Sequence, residues 1–129
     1  MADEIRYSVN RYCVLLRPRA PFLKWMLEAD PYPSEERGPY SAADFQHDQD
    51  VFLIPSGFDM PADAIKWVER RWRMFFEYML HGWYTDEGIW PSGRSLKMFR
   101  DWVEVEAHSM VWDLAAKPFV LEDWTADED

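Results

Sequence analysis

Residues 80–113 read LHGWYTDEGIWPSGRSLKMFRDWVEVEAHSMVWD and carry four tryptophans, two of the three histidines and six acidic residues. The periodicity changes across this stretch. Upstream of it, Ile65, Val68, Trp72, Phe75, Phe76, Met79 and Leu80 share one helical stripe, so a single helix is expected over Pro61 to Leu80. Glu69, Arg73 and Glu77 recur every four residues on its outer side. Gly82 stands where a left-handed cap would close that helix. Thr85, followed by Asp86 and Glu87, reads as the cap of a short turn whose acids match the positive end of a helix dipole. Pro91 and Gly93 break the chain again, and Ser95 is placed to cap a helix to about Trp102. From Val103 to Leu114 the period becomes two, as in a long strand. Val103, Val105, Ala107, Ser109 and Val111 face the core, and Trp102, Glu104, Glu106, His108, Met110 and Trp112 share the other face.

Ser8 to Arg17 also reads as a strand, with Val9, Cys13 and Leu15 on one face and Tyr12, Val14 and Leu16 on the other. Apolar groups on both faces predict a central or doubly covered strand. Pro18 and Pro21 then open a helix over Phe22 to Ala29, presenting Phe22, Leu23, Met26 and Leu27. Asp30 to Asp50 is a polar connection with three prolines and one glycine, in which Ser41 to Asp44 can cap a helical turn. Val51 to Pro55 is a short buried strand, and Pro118 to Glu122 is a candidate edge strand. The expected architecture is α+β: a small mixed sheet of three to four strands, with two to three helices packed mainly on one face. The first two strands are candidates for a parallel pair joined by a crossover helix. Residues 1–129 form one domain, with a loose N-terminus over 1–7 and an acidic tail from about 122 to 129.

A chain of 129 residues buries about two thirds of its unfolded surface. Eight tryptophans are hard to hide in so small a body, because each buried indole N–H needs an acceptor. A net charge of −10 argues against nucleic acid and anionic membrane surfaces and fits a basic protein partner. Cys13 is the only cysteine, so no internal disulfide forms, and the start lacks a signal-peptide pattern. No apolar run reaches the roughly 20 residues that span a bilayer. A cytoplasmic location follows as the expectation.

No catalytic motif is present, so candidates must be assembled by the fold. His81, Asp86, Glu87 and His108, with Glu104 and Glu106 near them in sequence, have the ligand types for metal or acid–base work. Their spacing matches no compact metal motif, and no metal or cofactor is assigned. The plainer account is a capping acid pair plus a half-exposed strand face whose charges pair with Arg94 or Arg100. His47-Asp48-Gln49-Asp50 reads first as a solvated turn, and Cys13 as inert packing in a buried strand. The third candidate is a binding surface of Trp83, Tyr84, Trp90, Trp102, Trp112 and Trp124 interleaved with Asp86, Glu87, Glu104 and Glu106. Aromatics ringed by acids suit a cationic ligand or a basic partner. Trp83, Trp90, Glu104, Glu106 and Trp112 of this set, together with Arg94, are the expected binding residues.

The segments W-Y-T-D-E-G-I-W-P-S-G-R at 83–94 and F-R-D-W-V-E-V-E-A-H-S-M-V-W-D-L at 99–114 also carry a likeness. The chain resembles a family of small uncharacterised bacterial proteins sharing W-x-T-D-E-x-x-W-P-x-x-R, then F-x-x-W-x-x-V-E-x-H-S-M-V-x-D-L. The resemblance extends to N-R-x-x-V-x-x-x-P-x-x-P-F-L-x-W at Asn10 to Trp25. It brings no activity and no catalytic residues. It implies one constellation of Thr85, Asp86, Glu87, Trp90, Pro91, Arg94, Glu106 and His108, with Arg94 neutralising Asp86 or Glu87. The leading expectation is a non-enzymatic interaction or regulatory domain. The alternatives are a small enzyme or ligand binder using His81, Glu106, His108 and Asp86 or Glu87, and an immunity-type antagonist of a basic toxin.

Overall fold

The computed structural model describes residues 4–30 and 49–125. The order is β1 (Tyr7–Val9), β2 (Arg11–Pro18), α1 (Ala20–Glu28), β3 (Val51–Pro55), α2 (Pro61–Arg70), α3 (Trp72–Trp83), a 3-10 turn at Glu87–Ile89, α4 (Leu96–Trp102), β4 (Val103–His108) and β5 (Val111–Asp113). The fold is α+β, with the four helices against one face of a three-stranded sheet.

β2 lies between β3 and β4, and both pairings are antiparallel. The expected parallel pairing of the first two strands is therefore replaced. β3 starts opposite Leu15 and ends opposite Arg11, so α1 and the connection after it return the chain to the end of β2 that it left. The expected strand at Ser8 to Arg17 is also two pieces. β1 pairs with β5 in a separate two-stranded ladder, after breaks at Asn10 and at Ser109–Met110. From Val9 to Cys13 is four steps, whereas from Val111 to His108 is three. The extra residue bends the β1–β2 strand at Asn10, as a bulge does. Tyr7, expected in a loose end, is held in β1. Residues 118–122, expected as an edge strand, take no strand conformation.

The inner sheet face carries Tyr12, Val14 and Leu16 of β2, Ile54 of β3 and Val103 of β4, all buried. The helices cover it with Phe22 and Met26 of α1, Ala64 and Val68 of α2, Phe75, Phe76 and Leu80 of α3, and Phe99 of α4. Trp25, outside the helical set expected from sequence, is also core, whereas Leu27 is 38% exposed. Trp102 meets Phe22 and Phe76 edge-on at 5.9 and 5.8 Å, a geometry that aligns ring edges with ring faces. The outer sheet face is not doubly covered: Leu53 and Val51 are 46% and 57% exposed, and Cys13 and Leu15 are half-buried. No polar or charged side chain is buried among the described residues.

The single helix expected over 61–80 breaks at Arg71, whose φ/ψ of −113°/26° leaves the helical region. Neither proline nor glycine stands there. The Arg71 guanidinium instead donates to the Trp67 carbonyl at 3.1 Å, taking the acceptor one turn back, while the Arg71 amide turns to Val68 O at 2.9 Å. A side chain inserted into the helical ladder is a recognised cause of a kink. Gly82 lies inside α3 rather than capping it, and the helix ends with the Tyr84 amide on Leu80 O and Tyr84 extended. Ser95 caps α4 as its sequence suggests, accepting from the Met98 amide at 3.1 Å. Just before it, Gly93 holds φ +67°, a conformation that a Cβ disfavours. Arg19 N donates to Trp102 O at 2.7 Å, tying the start of α1 to the end of α4.

Phe76 is fully buried and Met74 is 56% exposed on the same helix. Phe76→Ala is expected to cost about 3–5 kcal/mol in urea unfolding, and Met74→Ala to stay within about 0.5 kcal/mol. Equal losses at the two positions would contradict this orientation of α3.

Candidate functional site

The structure divides the candidate residues between two sides of the sheet. On the open face, antiparallel register sets His108 beside Cys13 and Glu106 beside Leu15. Paired residues point the same way, so β2 and β4 together present Cys13, Arg17, Glu106 and His108 on one surface. Glu106 is held at both oxygens, by Arg17 Nη1 at 2.8 Å and by His108 Nε2 at 2.8 Å. The hydrogen bond from His108, and then that from Arg17, hold its carboxyl below the ordinary value of 4.5. Burial, and then the charge of Glu106, push the Cys13 thiol above its ordinary value of 9.0. Cys13, expected to be fully packed, is therefore half-exposed beside a histidine, yet it is held as a thiol rather than a nucleophilic thiolate. The cluster can bind by charge and hydrogen bonding. It lacks the electropositive setting that thiol chemistry needs.

On the helical side, the turn between α3 and α4 is held to α1. Trp25 Nε1 donates to Ile89 O at 3.1 Å, Trp90 Nε1 donates to Tyr84 O at 2.7 Å, and the Tyr84 hydroxyl donates to Met26 O. Asp86, rather than Thr85, caps the 3-10 turn by accepting from the Gly88 amide at 2.9 Å. Gly88 leaves room for this, because a Cβ there would lie 3.0 Å from Asp86 Oδ1. Arg94 does not neutralise Asp86 or Glu87. It donates to Pro91 O at 2.9 Å, approaches Glu77 at 3.7 Å and lies 5.6 Å from the Trp90 ring centre.

His81, Asp86 and Glu87 are exposed on α3 and this turn, and Glu106 and His108 lie on the opposite face of the sheet. The constellation implied by the resemblance is thus two separate groups. Among the described residues no group of three or more His, Cys, Asp or Glu is placed to hold a metal ion. Of the His47–Asp50 group, His47 and Asp48 lie outside the described residues, as does the cap expected at Ser41 to Asp44. Asp50 accepts a hydrogen bond from the Tyr78 hydroxyl, tying the start of β3 to α3.

The aromatic surface divides in the same way. Trp90 is buried, and Trp102 and Tyr84 are half-buried against the core. Trp83, Trp112 and Trp124 are exposed, with the Arg6 guanidinium 5.1 Å from the Trp112 ring centre. A cleft of about 240 Å³ lies between α2, α4 and β4, lined by Arg19, Ile65, Glu69, Phe99, Arg100, Val103 and Val105. Arg100 spans it to Glu69 through two hydrogen bonds of 2.6 and 3.3 Å. None of the candidate residues lines it. Arg17 is the part of the site missing from the sequence reading, which takes Cys13 as packing alone. Their alternation with Leu15 on β2 was a usable signal, but the partner strand and its register were not. Compared with known proteins, the chain matches no family, no curated sequence and no solved structure.

Because the folded Glu106 carboxyl lies below its ordinary value, its contribution to stability is present above that value. The contribution is lost as pH falls through the folded midpoint. A carbon-detected NMR titration is expected to place the Glu106 midpoint below 4.5. Combining Arg17→Met with His108→Gln should raise it; a midpoint indifferent to both changes would rule out this pairing.

Proposed function

We propose that the protein is a non-enzymatic interaction domain that engages a basic protein partner through an acidic, aromatic-bearing surface. One observation carries this reading. Seven of the fifteen large hydrophobic side chains exposed among the described residues fall between Met110 and Trp124. Val120 and Leu121 are 92% and 90% exposed. A monomer rarely leaves so concentrated an apolar stretch facing water, and such stretches mark interaction sites. The stretch is flanked by Glu104 and Glu106 on one side and by Glu122 and Asp123 on the other, in a chain of net charge −10. Apolar anchors would supply affinity, and the surrounding carboxylates would select a basic surface and speed encounter.

Within this reading the contact residues are Trp112, with Met110 and Leu114, and then Phe119 and Trp124. Trp90 and Arg94, expected to bind, act as supports of the turn instead. An antagonist of a basic toxin is one form such a protein could take. A cytoplasmic setting and the likeness to small bacterial proteins belong to the same proposal. The enzyme reading is less well supported, because His81 and the acids of the turn do not reach Glu106 and His108.

Photo-crosslinking residues placed singly at positions 112 and 121 test it, with position 74 as control. The expected result is a salt-sensitive adduct with one basic protein at 112 and 121 and none at 74. Identical labelling at all three positions, or none at any, would remove the proposed surface.

A further inference from the structure

Lys66, Arg70, Arg71 and Arg73 are four of the chain's 14 basic residues and fall within eight positions. They gather round the break between α2 and α3, and all four are exposed. Of the carboxylates next to them, Glu69 is engaged with Arg100 at 2.6 Å and Glu77 with Arg94 at 3.7 Å, which leaves Asp63, one turn before Lys66. Two half-buried indoles lie among the cations. The Arg71 guanidinium lies 3.8 Å from the Trp67 ring centre, and that of Arg73 lies 5.5 Å from Trp72. In an acidic protein this elbow is a concentrated positive surface with aromatic rings beside it.

The opposite chemistry sits at the end of the chain. Residues 122–129, EDWTADED, carry five carboxylates and one indole. Trp124 is 71% exposed, and Phe119 to Leu121 before it stand off the body. The stretch from Asp113 to Trp124, fully extended, reaches roughly 36 Å. That matches the width of a domain whose radius of gyration is about 14 Å.

We propose that the α2–α3 elbow is a docking surface for this chain's own acidic C-terminal segment, residues 122–129, bound within the same molecule. Carboxylates of the segment pair with Arg70, Arg73 and Lys66, and Trp124 packs beside the guanidinium-stacked indoles. Exposed ion pairs are individually weak. The tether offsets this by giving the segment an effective concentration on the order of millimolar. The contact is reversible and screened by salt, and it competes with any basic partner that takes the same tail. It draws on the charge of the elbow and does not require the partner proposed above.

Amide hydrogen exchange of residues 121–129 in the full chain tests the inference, with the free peptide of the same sequence as reference. At about 0.02 M salt the segment is expected to exchange roughly tenfold more slowly than the peptide, and at about 0.5 M salt at the peptide's rate. Arg70→Glu with Arg73→Glu should abolish the slowing, as should Glu122→Lys with Asp123→Lys; combining all four should restore part of it. Peptide-like exchange of the unaltered chain at low salt would overturn the inference. So would slowing that survives reversal of the elbow, or slowing that grows with protein concentration and therefore arises between copies.

Discussion

Two indole N–H groups that have to find acceptors organise the helical half of this protein. Trp25 reaches from α1 to the carbonyl of Ile89, and Trp90 reaches back to the carbonyl of Tyr84. A buried donor without an acceptor costs about 1–3 kcal/mol, so each ring can enter the core only where a backbone carbonyl awaits it. The turn at 84–90 supplies both carbonyls, and the Tyr84 hydroxyl closes the loop onto Met26. Once that turn is fastened, α4 is positioned, Trp102 enters among Phe22, Trp25 and Phe76, and β4 follows directly from the end of α4. The density of reactive-looking residues between Thr85 and Arg94 is therefore a consequence of structure. Asp86 caps, Trp90 is core, and Arg94 braces the turn against α3.

The sheet then decides which residues can meet. It is covered on one side only, so β4 sends Val103, Val105 and Ala107 into the core and Glu106 and His108 onto the open face. There they meet Arg17 and Cys13, while His81 and the acids of the turn remain on the helical side. Beyond the breaks at Asn10 and Ser109–Met110, the narrow β1–β5 ribbon leads into a tail whose hydrophobic side chains have no core to join. Exposed apolar and charged side chains thus collect at the ends and edges of the described residues, away from the tryptophan-rich junction.

Much of the fold was legible because its signals are local. The Ser95 cap, the proline-led entry to α1 and the two-residue period from Val103 to His108 each depend on a few neighbours in sequence. The break at Arg71 was not legible, since no proline or glycine marks it and its cause is a guanidinium bonded to the carbonyl one turn back. Antiparallel pairing of β2 with β3 was equally hidden, because α1 between them suggested a crossover. The site was legible in part. Glu106 and His108 share a strand face and were read together, whereas Arg17 and Cys13 join them only through a register that neither strand specifies alone. The grouping of His81, Asp86 and Glu87 with His108 reflected closeness in sequence, which a folded sheet does not preserve.

Exchange of the indole N–H protons, resolved by NMR for all eight tryptophans, measures the central constraint directly. Trp25 and Trp90 are predicted to exchange slower than Trp124 by on the order of a hundredfold or more, because release requires opening of the core. A Trp90 indole exchanging as fast as that of Trp124 would contradict the account, since the turn would then not be held by the bond assigned to it.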